Sequence, residues 1–438
     1  MSLVSPEVAI ERILILGFGR TGRAVCEYAL GHGLRCWVSE ARLLTEEERA
    51  FLRTRDVPFE EGGHSSRHLA GADAVVLSPG VRPDLPLLAE ASKRGTPIFS
   101  ELDFASSVAC SRTAIAVTGT NGKTSTVTLI GEILRHFGRR VLVAGNIGLP
   151  LISVVDTLED HDVVVLEASS FQLEQSRLFH PKIGLLLNLA PDHLDRHRTM
   201  AAYAAAKGRM FRRQTAGDVA VLPYALRERF TQGDGERWFY DRGHIELPRG
   251  SDRFPPHLLA NLRAAIACCD AYLGEPGGGD VPIRLVEEAF RLPFRIEEVG
   301  SIRGVRVIND SKATNPDSAV AALQSVRGSI VILLGGRYKG HGYGALRRAI
   351  AASTVRRIIL FGEAAELLSI LLQNLGRDLC VVADVETAVN AALDAAGPGE
   401  TILFSPACSS YDQFRNFEER GETFTRLVRG RPGFVAKT

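Results

Sequence analysis

The stretch Gly119-Thr120-Asn121-Gly122-Lys123-Thr124-Ser125 constrains this chain more than any other. It follows Ala114-Ile115-Ala116-Val117, an apolar run that reads as a buried strand. It precedes Val127-Thr128-Leu129-Ile130-Gly131-Glu132-Ile133-Leu134, whose apolar residues have helical spacing. Strand, glycine loop, Lys-Thr and helix, in that order, is the layout of a phosphate-binding loop. Glycines let backbone N–H groups turn inward onto an anion, and the helix start adds about half a positive charge. Lys123 is placed to reach terminal phosphates, and Thr124 to set a hydroxyl on Mg²⁺. A plain glycine turn leaves the Lys-Thr pair unexplained, so the reading is a nucleoside triphosphate site.

Such a loop belongs in a parallel sheet, and the rest of the chain has the matching pattern. Strand-like runs alternate with helical patterns almost throughout, which predicts α/β architecture with mainly parallel sheets. At ~150 residues per domain, 438 residues make roughly three domains. The expected blocks are 1–101, 102–298 and 299–438. The first opens with Arg12-Ile13-Leu14-Ile15-Leu16 and closes near Pro97-Ile98-Phe99-Ser100. The second starts with the strand before the phosphate loop. The third takes up a new strand–helix alternation near Gly304-Val305-Arg306-Val307-Ile308. Gly274-Glu275-Pro276-Gly277-Gly278-Gly279-Asp280 reads as a surface loop, because a helical pattern resumes at Leu285.

Charge and composition narrow the function class. A formal net charge of +1 leaves no electrostatic footprint for nucleic acid. No apolar run approaches the ~18–20 residues of a membrane span, so no membrane insertion is expected. The opening Met1-Ser2-Leu3-Val4-Ser5-Pro6 lacks the basic-then-apolar pattern of a secretory signal. The seven cysteines are scattered without a Cys-x-x-Cys, and Cys268 and Cys269 are adjacent. Buried thiols in a reducing cytoplasm are the simplest expectation.

Each block offers polar residues at strand ends. Gly17-Phe18-Gly19-Arg20-Thr21-Gly22 follows a strand and opens a helix, and a second strand ends at Ser39-Glu40. An acid there can hold a ribose hydroxyl, as in dinucleotide folds. NAD, a glycine turn needed only for packing, and another nucleotide such as a uridine diphosphate sugar all remain open. Ser78-Pro79-Gly80 falls at another strand's carboxyl end. In the second block, Glu167 ends one strand and Asn188-Leu189-Ala190-Pro191-Asp192-His193-Leu194-Asp195 ends another. Both tips are expected beside the phosphate loop, with Glu167 and His193 near a divalent cation. Mg²⁺ prefers oxygen ligands, so an imidazole hints at a second, less strict metal site; a histidine paired with a neighbouring carboxylate is the equal alternative. Asp195 and His197 could also bind metal, with solvated polarity as the default reading, and Lys207 reads as an exposed helix lysine. In the third block, Asn315 and Pro316 make a good helix start, with Asp310 and Lys312 in the loop before it. Leu333-Leu334-Gly335-Gly336-Arg337-Tyr338-Lys339-Gly340 and Ser405-Pro406-Ala407-Cys408-Ser409-Ser410 also follow strands, which predicts one shared cleft. Cys408 lacks the His-Asp/Asn pattern of a thiol nucleophile.

Together these residues resemble the Mur ligase family of peptidoglycan synthesis, across essentially the whole chain. Beyond the phosphate loop, the resemblance is carried by Gly145-Asn146-Ile147-Gly148, Glu167-Ala168-Ser169-Ser170-Phe171-Gln172-Leu173-Glu174 and Asn309-Asp310-Ser311-Lys312-Ala313-Thr314-Asn315. The strongest mark is the run from Ser405 through Tyr411-Asp412-Gln413-Phe414-Arg415-Asn416-Phe417-Glu418. It is most similar to the branch that adds D-glutamate to UDP-N-acetylmuramoyl-L-alanine. No Asp-Asn-Pro-Arg, the mark of the diaminopimelate- or lysine-adding branch, is present.

The resemblance implies a Rossmann-like N-terminal domain, a central P-loop mononucleotide-binding domain and a C-terminal Rossmann-like domain. It implies an ATP-dependent ligase working through an acyl phosphate, with Mg²⁺ at two sites. Thr21, Glu40 and Arg42 would contact the uridine nucleotide, Ser78 and Gly80 would lie near the diphosphate, and Asn146 would contact the muramoyl group. Gly119, Thr120, Asn121, Gly122, Lys123, Thr124 and Ser125 would cradle ATP, with Asn261 on adenine, Arg295 on a phosphate and Asp310 on ribose. Thr124, Glu167, His193 and a carbamylated Lys207 would hold metal. Carbamylation needs neutral amine, which an unperturbed lysine with pKa ~10.4 scarcely supplies at pH 7. Lys312 and Thr314 would lie near the reacting groups; Lys339, Ser410 and Phe417 would hold D-glutamate. The chain is expected to be a cytoplasmic monomer. It departs from the family at Leu258 after His257, at Arg337-Tyr338-Lys339-Gly340-His341 and at Tyr411. The rival readings are a sister ligase adding another amino acid, a nucleotide-gated binding protein and an NAD-dependent oxidoreductase.

Overall fold

The computed structural model describes residues 10–109, 114–340 and 342–437; the opening hexapeptide, Cys110 and His341 lie outside them. Contacts divide the chain into two compact units. One comprises Met1–Asn188, Ala204–Ser251 and Ala260–Val286, the other Leu189–Tyr203, Asp252–Leu259 and Glu287–Thr438.

The first unit carries two sheets. Strands β1 (Arg12–Leu16), β2 (Arg35–Glu40), β3 (Phe59–Glu61), β4 (Ala74–Leu77) and β5 (Ile98–Ser100) pair in the order β3-β2-β1-β4-β5. All pairings are parallel. Central strands covered by helices on both faces must be apolar at nearly every position rather than alternating. Strand β1 obeys this, with Ile13, Leu14, Ile15 and Leu16 all buried. The order reverses between β1 and β4, and such a switch point opens a crevice at the strands' carboxyl ends.

The second sheet comprises β6 (Ala114–Thr118), β7 (Val141–Gly145), β8 (Val163–Glu167), β9 (Ile183–Leu186), β10 (Val219–Leu222) and β11 (Glu236–Phe239). Its order is β11-β10-β9-β6-β8-β7, again fully parallel. Strand β6 sits between β8 and β9, so the phosphate loop leaves the middle of the sheet.

The second unit is built on β12 (Glu297–Ile302), β13 (Val305–Asn309), β14 (Ile330–Gly335), β15 (Val355–Phe361), β16 (Asp378–Val381), β17 (Thr401–Ala407) and β18 (Phe434–Ala436). The order is β16-β15-β14-β17-β13-β12-β18. Five strands are parallel, but β12 pairs antiparallel with β13 and with β18. This sheet therefore begins before Gly304. Arg303 and Gly304 both have positive φ, 51° and 79°, and close a two-residue hairpin from β12 to β13. Two apolar clusters cover its faces, one including Ile332, Leu334 and Leu403, the other Val331, Leu333 and Phe404.

Candidate functional site

In the first unit, β6 ends at the buried Thr118 and the chain turns through Gly119-Thr120-Asn121-Gly122. Gly122 caps the helix Lys123–His136 in left-handed conformation, φ 87°. A Cβ there would lie 2.6 Å from Asn261 Oδ1, so glycine is required both by φ and by Asn261 packed against the loop. Lys123 folds back over the loop and its Nζ donates to the Gly119 and Thr120 carbonyls at 2.9 and 2.8 Å. Asn188, just after β9, staples the loop: its Oδ1 accepts from the amides of Thr120 and Asn121 at 3.1 and 2.9 Å, and its Nδ2 donates to Asn121 O at 3.0 Å.

The neighbouring strand tip supplies a carboxylate. Glu167 closes β8, and its Oε2 accepts from Thr124 Oγ1 at 2.8 Å. Its Oε1 accepts from Asn146 Nδ2 at 2.9 Å. Hydroxyl, carboxylate and carboxamide from three chain segments thus meet at the end of the sheet. Lys207 is the first correction to the sequence reading. It is not exposed on the helix Met200–Gly208 but 1% exposed, with Nζ donating to Gly119 O at 2.8 Å and lying 3.4 Å from Thr118 Oγ1. The alanine-rich helix packs so closely that its last turn carries the lysine beneath the phosphate loop.

At the first sheet's switch point, Glu40 Oε2 accepts from the Phe18 amide in the glycine loop at 2.6 Å. Arg42 forms a bidentate pair with Glu48, at 2.8 and 2.6 Å, which holds that carboxyl down to about 2. Ser78 Oγ donates to Gly17 O at 2.9 Å, drawing the β1 and β4 loops together. A Cβ on Gly22 would lie 1.9 Å from Gly17 O, so strand and helix can approach only with glycine there. Thr21 lies in the first turn of the helix Arg20–Gly31, half-buried, and Gly80 is exposed. Arg20 Nη2 donates to Asn146 O at 3.1 Å, joining this crevice to the second sheet.

The second unit gathers its polar residues around two buried groups. Arg420, 0% exposed, donates from Nε to Ser311 Oγ, from Nη2 to Ser311 O and from Nη1 to Cys408 O, at 3.1, 2.7 and 3.0 Å. Burial pulls its guanidinium down to about 10. It thereby knits the loop after β13 to the loop after β17. Asp310 accepts from Ser405 Oγ at 2.7 Å and from the Ile296 amide at 3.2 Å, and burial pushes its carboxyl up to about 7. Lys312 Nζ lies 4.7 Å from the centre of the Phe417 ring. Thr314 is half-buried and its amide donates to Lys312 O at 2.9 Å; Ser410 is buried. Arg295 is flanked by Phe294 and Ile296, both at positive φ, 61° and 46°. Such backbone costs energy and gathers at ligand sites. Cys408 is buried, its Sγ 2.9 Å from Tyr343 Oη, and desolvation pushes the thiol up to about 11. It is no thiolate at neutral pH.

The second buried group is Asp192. Its Oδ2 accepts from Asn315 Nδ2 at 3.1 Å, and its Oδ1 lies 3.4 Å from Lys339 Nζ and accepts from the His193 amide at 2.8 Å. The His193 ring is turned the same way, Nε2 being 3.6 Å from Asp192 Oδ2. Glu167 belongs to the first unit and His193 to the second. Among the described residues, no three His, Cys, Asp or Glu side chains converge as a ready metal cage. Mg²⁺ seldom needs one, since one or two carboxylates and the substrate's phosphates suffice.

Three family models match this chain: MurD N-terminal domain at residues 12–87, Mur ligase middle domain at 117–234, and Mur ligase, glutamate ligase domain at 294–408. The UDP-N-acetylmuramoylalanine–D-glutamate ligase of Desulfotalea psychrophila is 39% identical over 94% of this chain and 95% of that protein. The ligase of the same name from Pelotomaculum thermopropionicum is 36% identical over 95% and 97%. This chain belongs to the Mur ligase family. The Mur ligase fold is also seen in solved structures from Thermotoga maritima. The UDP-N-acetylmuramate-alanine ligase MurC aligns with TM-score 0.54 and 20% identity over 95% of this chain and 99% of that one. The MurF ligase in complex with ADP aligns with TM-score 0.56 and 17% identity over 98% and 97%.

Several residues that organise this Mur ligase escape sequence reasoning. Asn188, Asp192 and Arg420 lie inside the quoted motifs or beside them, yet only the folded chain shows what they hold. Asp103 has no motif at all. It accepts from Ser176 Oγ at 2.8 Å and from the amides of Arg177, Leu178 and Phe179 at 2.6, 3.0 and 3.0 Å, anchoring the turn after the helix Ser170–Glu174.

Proposed function

We infer that this Mur ligase joins D-glutamate to UDP-N-acetylmuramoyl-L-alanine at the expense of ATP, a cytoplasmic step of peptidoglycan synthesis. The observation that carries the ligase chemistry is the meeting of Thr124, Glu167 and Asn146 beside the Lys123 loop. The named full-length relatives supply the amino acid. In the proposed reaction the terminal carboxylate of the UDP-linked substrate attacks the γ-phosphoryl group of ATP, and ADP leaves. The D-glutamate amine then attacks the acyl phosphate carbonyl, and the tetrahedral adduct collapses to amide and phosphate. A carboxylate approaching a polyanion is repelled, so positioning and charge neutralisation dominate such transfers.

In this reading residues 1–101 bind the UDP substrate, 102–298 bind ATP and 299–438 bind the amino acid. Lys123 and Arg295 neutralise phosphate charge, Asn261 holds adenine and Asp310 the ribose. Thr124 and Glu167 have the oxygen chemistry to hold Mg²⁺, which would further neutralise the phosphates. His193 and a carbamylated Lys207 serve a second ion. What supports a role for Lys207 at this site is its burial directly beneath the phosphate loop, with Nζ on Gly119 O. Glu40, Arg42, Thr21, Ser78 and Gly80 line the uridine diphosphate crevice; Asn146 meets the muramoyl group. Lys312 and Thr314 attend the reacting groups, and Lys339, Ser410 and Phe417 receive D-glutamate. The chain acts as a monomer in this reading.

The test is phosphate release from ATP with UDP-N-acetylmuramoyl-L-alanine and a panel of single amino acids. Release with D-glutamate alone is expected. Release with another amino acid moves the chain to a sister activity, and none with any amino acid, despite ATP binding, overturns the ligase reading.

A further inference from the structure

The first unit holds a second basic feature that shares no residue with the phosphate loop. A cavity of about 700 Å³ is lined by Gln175, Arg177, Arg209, Arg212 and Arg213. With a formal net charge of only +1, this cluster does not merely reflect a basic chain. Two separate segments build it. Gln175 and Arg177 lie in the turn after the helix Ser170–Glu174; Arg209 opens the 3₁₀ turn Arg209–Phe211, and Arg212 and Arg213 follow. Arg209 is half-buried and its Nη1 lies 3.4 Å from the Ser176 carbonyl. Burial first, then repulsion from Arg212 and Arg177, lowers its guanidinium, against the pull of Glu174 and Asp103. Asp103 is already engaged by Ser176 and three amides. Among the described residues none of the four arginines is held in an ion pair.

Like charges gathered around an open cleft, with Arg209 half-buried at its wall, repel, and a counter-anion relieves that repulsion. Guanidinium forks match the oxygens of phosphates and carboxylates. The lining includes no aromatic ring on which a nucleobase could stack. We propose that this cavity binds one small, multiply charged oxyanion of the diphosphate class, at a site distinct from the phosphate loop. The proposal stands or falls independently of the ligase reading.

Calorimetric titration of inorganic pyrophosphate tests it, in a Lys123→Ala chain so that the phosphate loop is a weakened competitor. Apart from any binding in the uridine diphosphate crevice, a saturable site is expected that weakens at least tenfold when Arg212→Ser and Arg213→Ser are added. Both arginines are exposed, so the fold should survive; circular dichroism checks this. Arg177→Ser, on the other segment and also exposed, provides an independent variant with the same expected loss. Affinity unchanged in these variants, or no saturable binding in the parent, overturns the proposal.

Discussion

The phosphate loop of the first unit and the loops after β13 and β17 of the second solve one problem in opposite ways. Each lies at the carboxyl end of parallel strands, where backbone carbonyls and amides leave the sheet without partners. In the first unit, lysines reach in from the loop itself and from a helix far along the chain: Lys123 and Lys207 both donate to Gly119 O. In the second, a single buried arginine, Arg420, spans both loops from the helix Phe417–Arg429. The Lys123 ammonium, on a flexible stem, can leave a carbonyl when a phosphate arrives. A fully buried guanidinium with three fixed acceptors cannot move without breaking the loops apart. The first arrangement is suited to exchange charge with a ligand, the second to hold shape.

That contrast can be broken at Lys123. Lys123→Ala should lower turnover about 10³-fold, the scale of a lost transition-state donor, while the unfolding midpoint stays near the parent's. Turnover within tenfold of the parent would remove the loop from catalysis. Arg420→Met should do the reverse: a loss of roughly 3 kcal/mol in denaturant unfolding, because buried carbonyls lose their donor. A destabilisation under ~1 kcal/mol would show that Arg420 is not structural. Lys207 sharpens the comparison, since it is buried like Arg420 but touches the ligand loop. Lys207→Ala should cost about 10²-fold in turnover, with part of the rate restored by added short-chain carboxylic acid if the working group is a carbamate. Absence of rescue at every concentration would argue for the amine itself.

A further expected effect concerns pH. Burial pushes the Glu101 carboxyl up to about 7, although its Oε1 accepts from the Ile152 amide at 2.9 Å. The folded chain therefore keeps this proton where the unfolded chain loses it. Its stabilisation is full below the unfolded value of ~4.3 and is lost as pH rises through about 7. Glu101→Gln should be more stable than the parent at pH 8 by roughly 4 kcal/mol, with the difference vanishing near pH 4. An equal difference at both pH values would refute the buried proton. Asp310, pushed up to about 7 in the second unit, obeys the same sign.

The sequence alone determined the α/β class, the phosphate loop and the strand ends that present Glu167, Asp310 and Ser405. These are local patterns: apolar runs, glycines at forced turns, and helix starts, all set by backbone sterics and burial within a few residues. It also suggested a start for the third sheet near Gly304, because a hairpin loop of Arg303-Gly304 looks like a boundary when its antiparallel partner is not yet visible. Tertiary structure decided the rest. Lys207 reads as an ordinary helix lysine until the helix Met200–Gly208 packs and buries it under Gly119. Asn188, Asp192 and Arg420 gain their roles only from partners distant in sequence or brought together by loops. The gathering of Arg177, Arg209, Arg212 and Arg213 around one cavity is equally invisible along the chain. Hydrogen bonds and charge interactions act over a few ångströms of space, whatever the separation in sequence. A linear reading finds what neighbouring residues dictate, and only the folded chain shows which distant groups must share a dry site.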